Sequence, residues 1–180
     1  MKITLRKFHK YISFIVSIQL LLWTISGIYF SFNKIENVRG EQYRLEKNAS
    51  ASDEKKQIEM LSTEDAKKMV SLKTTLIPIQ AILIDEEERG SEFRGRVLPL
   101  YKVISKNEKS KEINVYIDPF SGEISAIRSL QWRIWDFMWG IHIMDWVERD
   151  NIDNFWLKTF SFIALFTSLS GIILFFTRRT

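Results

Sequence analysis

Residues 11–32, YISFIVSIQLLLWTISGIYFSF, run for 22 positions without a formal charge. At about 1.5 Å rise per residue, a helix of that length crosses a hydrocarbon layer of roughly 30 Å. Its counterpart is residues 159–177, 19 positions again free of charge, and the run reaches back to residue 154 if Lys158 extends its ammonium towards the headgroups. The sequence thus predicts two membrane-spanning helices, 11–32 and 154–177, separated by a polar stretch. A near-zero mean hydropathy conceals this segregation. All 22 acidic residues fall between Glu36 and Asp153.

The bases give the expected orientation. Lys2, Arg6, Lys7 and Lys10 precede the first run, Arg178 and Arg179 follow the second, and no acid accompanies them. Residues 33–153 carry 19 bases against 22 acids. Because short basic flanks stay on the cytoplasmic side, residues 1–10 and 178–180 are expected in the cytoplasm and 33–153 outside it. A cleaved signal peptide is the competing reading of the N-terminal region, but its apolar core spans only about 7–15 residues, and no small-residue cleavage pattern follows Phe32. Five of the six tryptophans, at 132, 135, 139, 146 and 156, precede or enter the second run, which predicts an aromatic helix or loop over 129–153 at the membrane interface.

The 180 residues suffice for one small domain besides the spans. The absence of cysteine removes disulfides, thiolate zinc sites, iron–sulfur clusters and thiol nucleophiles. No Gly-rich nucleotide loop, nucleophile elbow or zinc-hydrolase motif occurs, and the terminal bases account for the slight positive charge, so no nucleic-acid partner is expected.

Between the spans, residues 33–57 read as a linker, polar and without periodicity over 41–57. Residues 58–128 read as a helix-plus-antiparallel-sheet domain. Ser62 and Asp65 form a capping signal ahead of Ala66, Met69, Val70 and Lys73 at helical spacing. Residues 77–84 are rich in branched side chains, 94–105 hold an apolar centre, and Ile113, Val115 and Ile117 alternate with Glu112, Asn114 and Tyr116. Asp118-Pro119-Phe120-Ser121-Gly122 is a turn before a last strand over 123–127. The fold class expected is an α+β membrane protein.

That order, ending in VYIDPFSGEI (115–124), resembles the PepSY domain. The wider layout, with KFHKYISFIVSIQLLLWTISGIYF (7–30) before it and FMWGIHIMDW (137–146) and LFTSLSGIILFF (165–176) after it, resembles the PepSY-associated transmembrane helix family. The likeness rests on a His opening the first span, Ser-Gly late in both spans, and a His shortly before the second. It implies kinship with haem-containing ferric-siderophore reductases of bacterial inner membranes, whose larger members duplicate this unit. By that resemblance the chain is a single unit carrying b-type haem.

His9 and His142 are the only histidines, and without cysteine imidazole is the remaining strong ligand for haem iron. On an ideal helix His9, Ser13, Leu20, Thr24 and Gly27 share a face. The pairs Ser26-Gly27 and Ser170-Gly171 either let another helix approach closely or leave room for a flat macrocycle. With oppositely directed spans, His9 should lie level with Gly171 and His142 with Gly27. The two imidazoles are then separated by an order of 30 Å and cannot share an iron within one chain. The expectation is a homodimer, or pairing with a paralogue or a larger complex, in which His9 meets its counterpart around an inner haem and His142 around an outer one. The electron donor would be quinol or another reductase, since no flavin or nicotinamide motif is present.

Weaker candidates remain open. Met138 and Met144 flank His142 and could offer a thioether. Asp85, Glu86, Glu87 and Glu88 could attract a cation, or simply be solvated. Asp145, Glu148, Asp150 and Asp153 could guide a cationic partner, or form a polar loop. Asn48-Ala49-Ser50 matches a glycosylation sequon. A non-catalytic alternative has the PepSY-like domain binding a peptide, peptidase or envelope partner while the spans only anchor it.

Overall fold

The protein is described here from a computed structural model covering residues 2–45 and 59–177, with side chains from residue 6 onward. The sequon at 48–50, the end bases Arg178 and Arg179 and residues 46–57 of the predicted linker lie outside the described residues. The chain divides into two compact units, Asn33–Asp136 and the pair of segments Met1–Phe32 and Phe137–Thr180.

In the Asn33–Asp136 unit, helix α3 (Thr63–Lys73) precedes a four-stranded antiparallel sheet in the order β1-β2-β3-β4. The strands are β1 (Ile77–Ile84), β2 (Leu100–Lys106), β3 (Glu112–Ile117) and β4 (Ile124–Arg128). Ser62 caps α3, its hydroxyl oxygen accepting from the Asp65 amide at 3.1 Å, as the sequence signal implies. Register aligns Ala81, Val103, Val115 and Ile127 across all four strands. Val103, Val115 and Ile127 are fully buried in one cluster with Ala66 and Val70 of α3. Burying each such side chain contributes about 1.5–3 kcal/mol, so this row is the principal adhesive between helix and sheet.

The turn after β3 forms as the sequence implies. Asp118 accepts from the amides of Phe120 (2.8 Å) and Ser121 (3.1 Å), and Gly122 takes φ +67 with its amide on the Asp118 carbonyl.

Three features depart from the sequence reading. First, the start of the predicted linker is folded: α2 (Ile35–Arg39) and a 3-10 turn (Glu41–Tyr43) bury Val38, pack Tyr43 on the core, and bridge Arg44 to Thr74. Elements of five and three residues carry no periodicity, so only their tertiary contacts reveal them. Second, the outward face of β3 is not solvated. Asn114 and Tyr116 are buried, because Phe93 and Leu98 from the segment between β1 and β2 pack with Leu100, Tyr116 and Ala126 into a second cluster. Third, residues 94–99 belong to that covering segment, and the strand begins only at Leu100.

Gly40 ends α2 with φ +82, and a Cβ there would lie 2.7 Å from Ile127 Cγ2. Gly40→Ala is therefore expected to destabilise this unit by about 3 kcal/mol, from left-handed backbone strain of roughly 1–2 and overpacking of roughly 1–3. Chemical unfolding followed by tryptophan fluorescence checks it; an unchanged midpoint would contradict the packing described.

In the other unit, α1 (Lys2–Phe32) and α5 (Phe155–Phe176) are both long and apolar enough to cross a membrane, α1 over Arg6–Phe32. No residue of α5 is buried. Its exposed Phe, Leu and Ile side chains suit lipid or a further apolar helix rather than water. Asn154 caps α5 by accepting from the Leu157 amide (2.8 Å), while its side-chain amide donates to the Ile143 carbonyl (2.8 Å). That ties the start of α5 to the end of α4 (Leu130–Ile143).

Candidate functional site

The buried residues of α1 recur every three to four positions. Val16, Gln19 and Ser26 are nearly inaccessible, and His9, Trp23 and Phe30 continue the same stripe in steps of seven. This corrects the ideal-helix placement. Leu20 is exposed, and a Cβ on Gly27 would meet nothing within 4 Å. Packed helices follow a repeat near 3.5 rather than 3.6 residues, so over 17 positions the inward face drifts from Gly27 to Ser26.

At one end of this stripe the His9 ring meets α5. His9 Nδ1 lies 2.7 Å from Ser170 Oγ, and a Cβ on Gly171 would sit 3.2 Å from His9 Cε1. Gly171 thus makes room for the imidazole itself, not for a macrocycle laid on the helix. Ser13, one turn along α1, places its hydroxyl 3.3 Å from His9 Nε2.

At the other end His142, on the last turn of α4, repeats the arrangement with α1 as partner. His142 Nδ1 lies 2.8 Å from Ser26 Oγ. Trp23 Nε1 donates to the His142 carbonyl at 2.7 Å. Trp139 stacks on the ring at 13° between planes, and Phe30 meets it edge-on at 5.6 Å. His142 Nε2 has no hydrogen-bond partner among the described residues. Burial holds this imidazole below its ordinary pKa, which favours the neutral ring that a metal requires.

Each predicted histidine is thus beside the predicted Ser-Gly pair of the opposite segment: His9 with Ser170-Gly171, His142 with Ser26-Gly27. Along α1 the two levels are 17 residues apart, about 25 Å. One iron cannot bridge that. The sequence reading missed Trp23 and Phe30 as neighbours of His142, although the seven-residue spacing from His9 marks them. It also missed Gln19, an amide buried inside an uncharged run whose Nε2 finds no partner among the described residues.

The other candidates resolve differently. Neither Met138 nor Met144 hydrogen-bonds the imidazole; Met144 ends α4 with φ +56. Asp85, Glu86, Glu87 and Glu88 are exposed, and no group of three metal-ligating side chains forms among the described residues. Asp145 is a loop fastener, accepting from the amides of Glu148 (3.1 Å), Asp150 (3.2 Å) and Asn151 (3.0 Å). Burial would raise its pKa, but these amides outweigh that and lower it. Asp153 pairs with Lys158.

Fold and site together define a class: a pair of apolar helices holding one imidazole at each end, with a small α+β unit carried between them in sequence. Compared with known proteins, the chain matches no family model, no curated protein and no solved structure.

The histidines' surroundings fit b-type haem on the chemistry of the donors. Each ring is gripped at Nδ1 by a hydroxyl, the usual second partner of a metal-binding histidine; His142 Nε2 has no partner among the described residues, whereas at His9 a ligand would displace the Ser13 hydroxyl from Nε2. His9 and His142 would be the residues to hold it.

Proposed function

We propose that this chain is a bacterial inner-membrane b-type haem protein of the PepSY-associated transmembrane helix kind. In this reading α1 and α5 span the membrane with both termini cytoplasmic, and the Asn33–Asp136 unit is an extracytoplasmic PepSY-like domain. The chain works as a homodimer or with a paralogue, so that each haem takes one imidazole from each copy. When bound, haem supplies reversible one-electron chemistry at iron. Two such centres about 25 Å apart along α1 form a relay, and electrons from quinol or a reductase leave outside the cytoplasm for ferric iron or a ferric siderophore. One observation carries the reading: two imidazoles, at opposite ends of an apolar helix pair, are each held through Nδ1 by a serine of a neighbouring helix, with Nε2 of His142 without a partner among the described residues and Nε2 of His9 meeting only the Ser13 hydroxyl.

The test is a visible spectrum of protein purified after haem-replete expression. A Soret band with sharp α and β bands on reduction is expected, and a colourless protein would overturn the proposal.

A second reading rests on a different observation. β1 is an edge strand of eight residues, with Ile77, Ile79, Ile82 and Leu83 exposed and one row of backbone groups outside the sheet ladder. Such an edge accepts an added strand from an extended peptide. In that reading the domain binds a peptide, peptidase or envelope partner and the helices anchor it, or the chain is a small subunit of a larger membrane complex. A colourless protein that retains an envelope partner in mild detergent would favour it.

A further inference from the structure

We infer that Ser26 and Ser170 are positioning residues that lock His142 and His9 in the Nδ1–H tautomer, leaving each Nε2 as a preset electron-pair donor. The inference rests on the haem reading for its purpose, though its geometry stands without it.

A serine hydroxyl has one proton and two lone pairs. Ser170 donates its proton to the Thr167 carbonyl at 2.8 Å, and Ser26 donates to the carbonyls of Leu22 (2.9 Å) and Trp23 (3.0 Å). With the proton engaged on the helix backbone, each Oγ faces the imidazole only as an acceptor. Nδ1 must then be the donor, 2.7 Å from Ser170 Oγ in His9 and 2.8 Å from Ser26 Oγ in His142. The neutral ring carries its proton on Nδ1, and the lone pair falls on Nε2. Ser13 agrees: its hydroxyl, 3.3 Å from His9 Nε2, can give its proton to that lone pair.

The same device occurs twice, on different helices and in opposite directions. α5 supplies the serine to a histidine of α1, and α1 supplies it to a histidine of α4. In both cases a glycine follows the serine, and at Gly171 its missing side chain is what lets the ring come so close. Two rings fixed alike by unrelated segments are what a pair of ligands needs, because the hydrogen bond sets ring orientation as well as tautomer.

Because the chain has only two histidines, 15N-histidine labelling of the full-length, haem-free protein in detergent gives two resolvable rings. At a pH where both are neutral, each is expected to show a protonated Nδ1 and an unprotonated Nε2. Ser26→Ala should shift only His142 towards the Nε2–H form that imidazole prefers in water, Ser170→Ala should shift only His9, and Ser170→Thr, which keeps a hydroxyl, should restore the original pattern. In haem-loaded protein, each Ser→Ala variant should weaken one of the two centres about 10- to 100-fold, the usual cost of losing a ligand's hydrogen-bond partner, with the other unchanged. Nε2–H rings in the unaltered protein, or tautomers indifferent to the serines, would overturn the inference. Nδ1–H rings that depend on the serines, in a protein that takes up no haem, would uphold it and overturn only the proposed function.

Discussion

His142→Ala is expected to remove about half of the haem from the purified protein, and His9→Ala the other half, with the double variant colourless. Each imidazole sits at its own level of the helix pair, about 25 Å from the other along α1, so neither can compensate for the loss of its sibling. Alanine removes the only strong donor at that level, since neither methionine near His142 approaches its ring by a hydrogen bond and no cysteine exists. Haem per chain, measured by absorbance against protein mass, reads the result. Circular dichroism should be unchanged, because His9 and His142 contribute one side-chain hydrogen bond each to a neighbouring segment. Full haem retention in both variants would sink the ligand assignment. Loss of all haem from either single variant would contradict the independence of the two levels.

The second large effect concerns stability. Glu92, in the segment between β1 and β2, accepts from Asn114 Nδ2 (2.7 Å), Tyr116 OH (3.0 Å) and Arg133 Nε (2.5 Å), while its backbone carbonyl accepts from Arg128 Nε (2.9 Å). Around it Arg94 pairs with buried Asp136, and the guanidinium of Arg128 lies 4.2 Å over the Trp132 ring. Burial lowers Arg128 to about 10 and is helped by repulsion from Arg96, yet the group stays charged at neutral pH. Glu92→Ala leaves that positive cluster without its central carboxylate and strips the buried Asn114 and Tyr116 donors of their acceptor; because the Glu92–Arg133 pair is only half-buried and partly screened, the expected cost is about 2–3 kcal/mol. Urea unfolding is the check, and a change below about 1 kcal/mol would show that the network is dispensable.

The same carboxylate sets an acid limit. Burial alone would raise its pKa, but the hydrogen bonds from Arg133, Asn114 and Tyr116 and the Arg133 charge prevail and lower it. A folded-state value below the unfolded one, about 4.3, means that the unfolded chain takes up the proton first. The stabilisation is therefore complete above about pH 4.3 and is lost as pH falls through the folded value. Glu92→Gln should show a shallower loss of stability over that window than the unaltered protein.

How much of this was legible beforehand differs from element to element. β1 and β3 begin and end where their branched and alternating residues predict, because a strand's pattern is local and has a period of two. The cap at Ser62 and the turn at Asp118 were equally readable, since each is satisfied by backbone groups two or three residues away. The lid over Asn114 and Tyr116 was not. Alternation reports which face of a strand prefers the core, and says nothing of whether a distant segment will cover the other. Glu92 was likewise invisible as a hub, because its partners lie 22, 24 and 41 residues away.

For the candidate site, the sequence by itself determined the two apolar spans, the pairing of each histidine with the opposite Ser-Gly, and the impossibility of a shared metal. The first follows from charge-free length, and the other two from a fixed rise per residue together with the expectation that the two helices run in opposite directions. Only the tertiary structure decided that Ser26 rather than Gly27 faces the ring, that Gly171 makes space for His9, and that Trp23, Phe30 and Trp139 surround His142. Such choices depend on the small rotation a helix undergoes when it packs against another, about 20° per heptad, and that rotation is a property of the pair, absent from either helix alone.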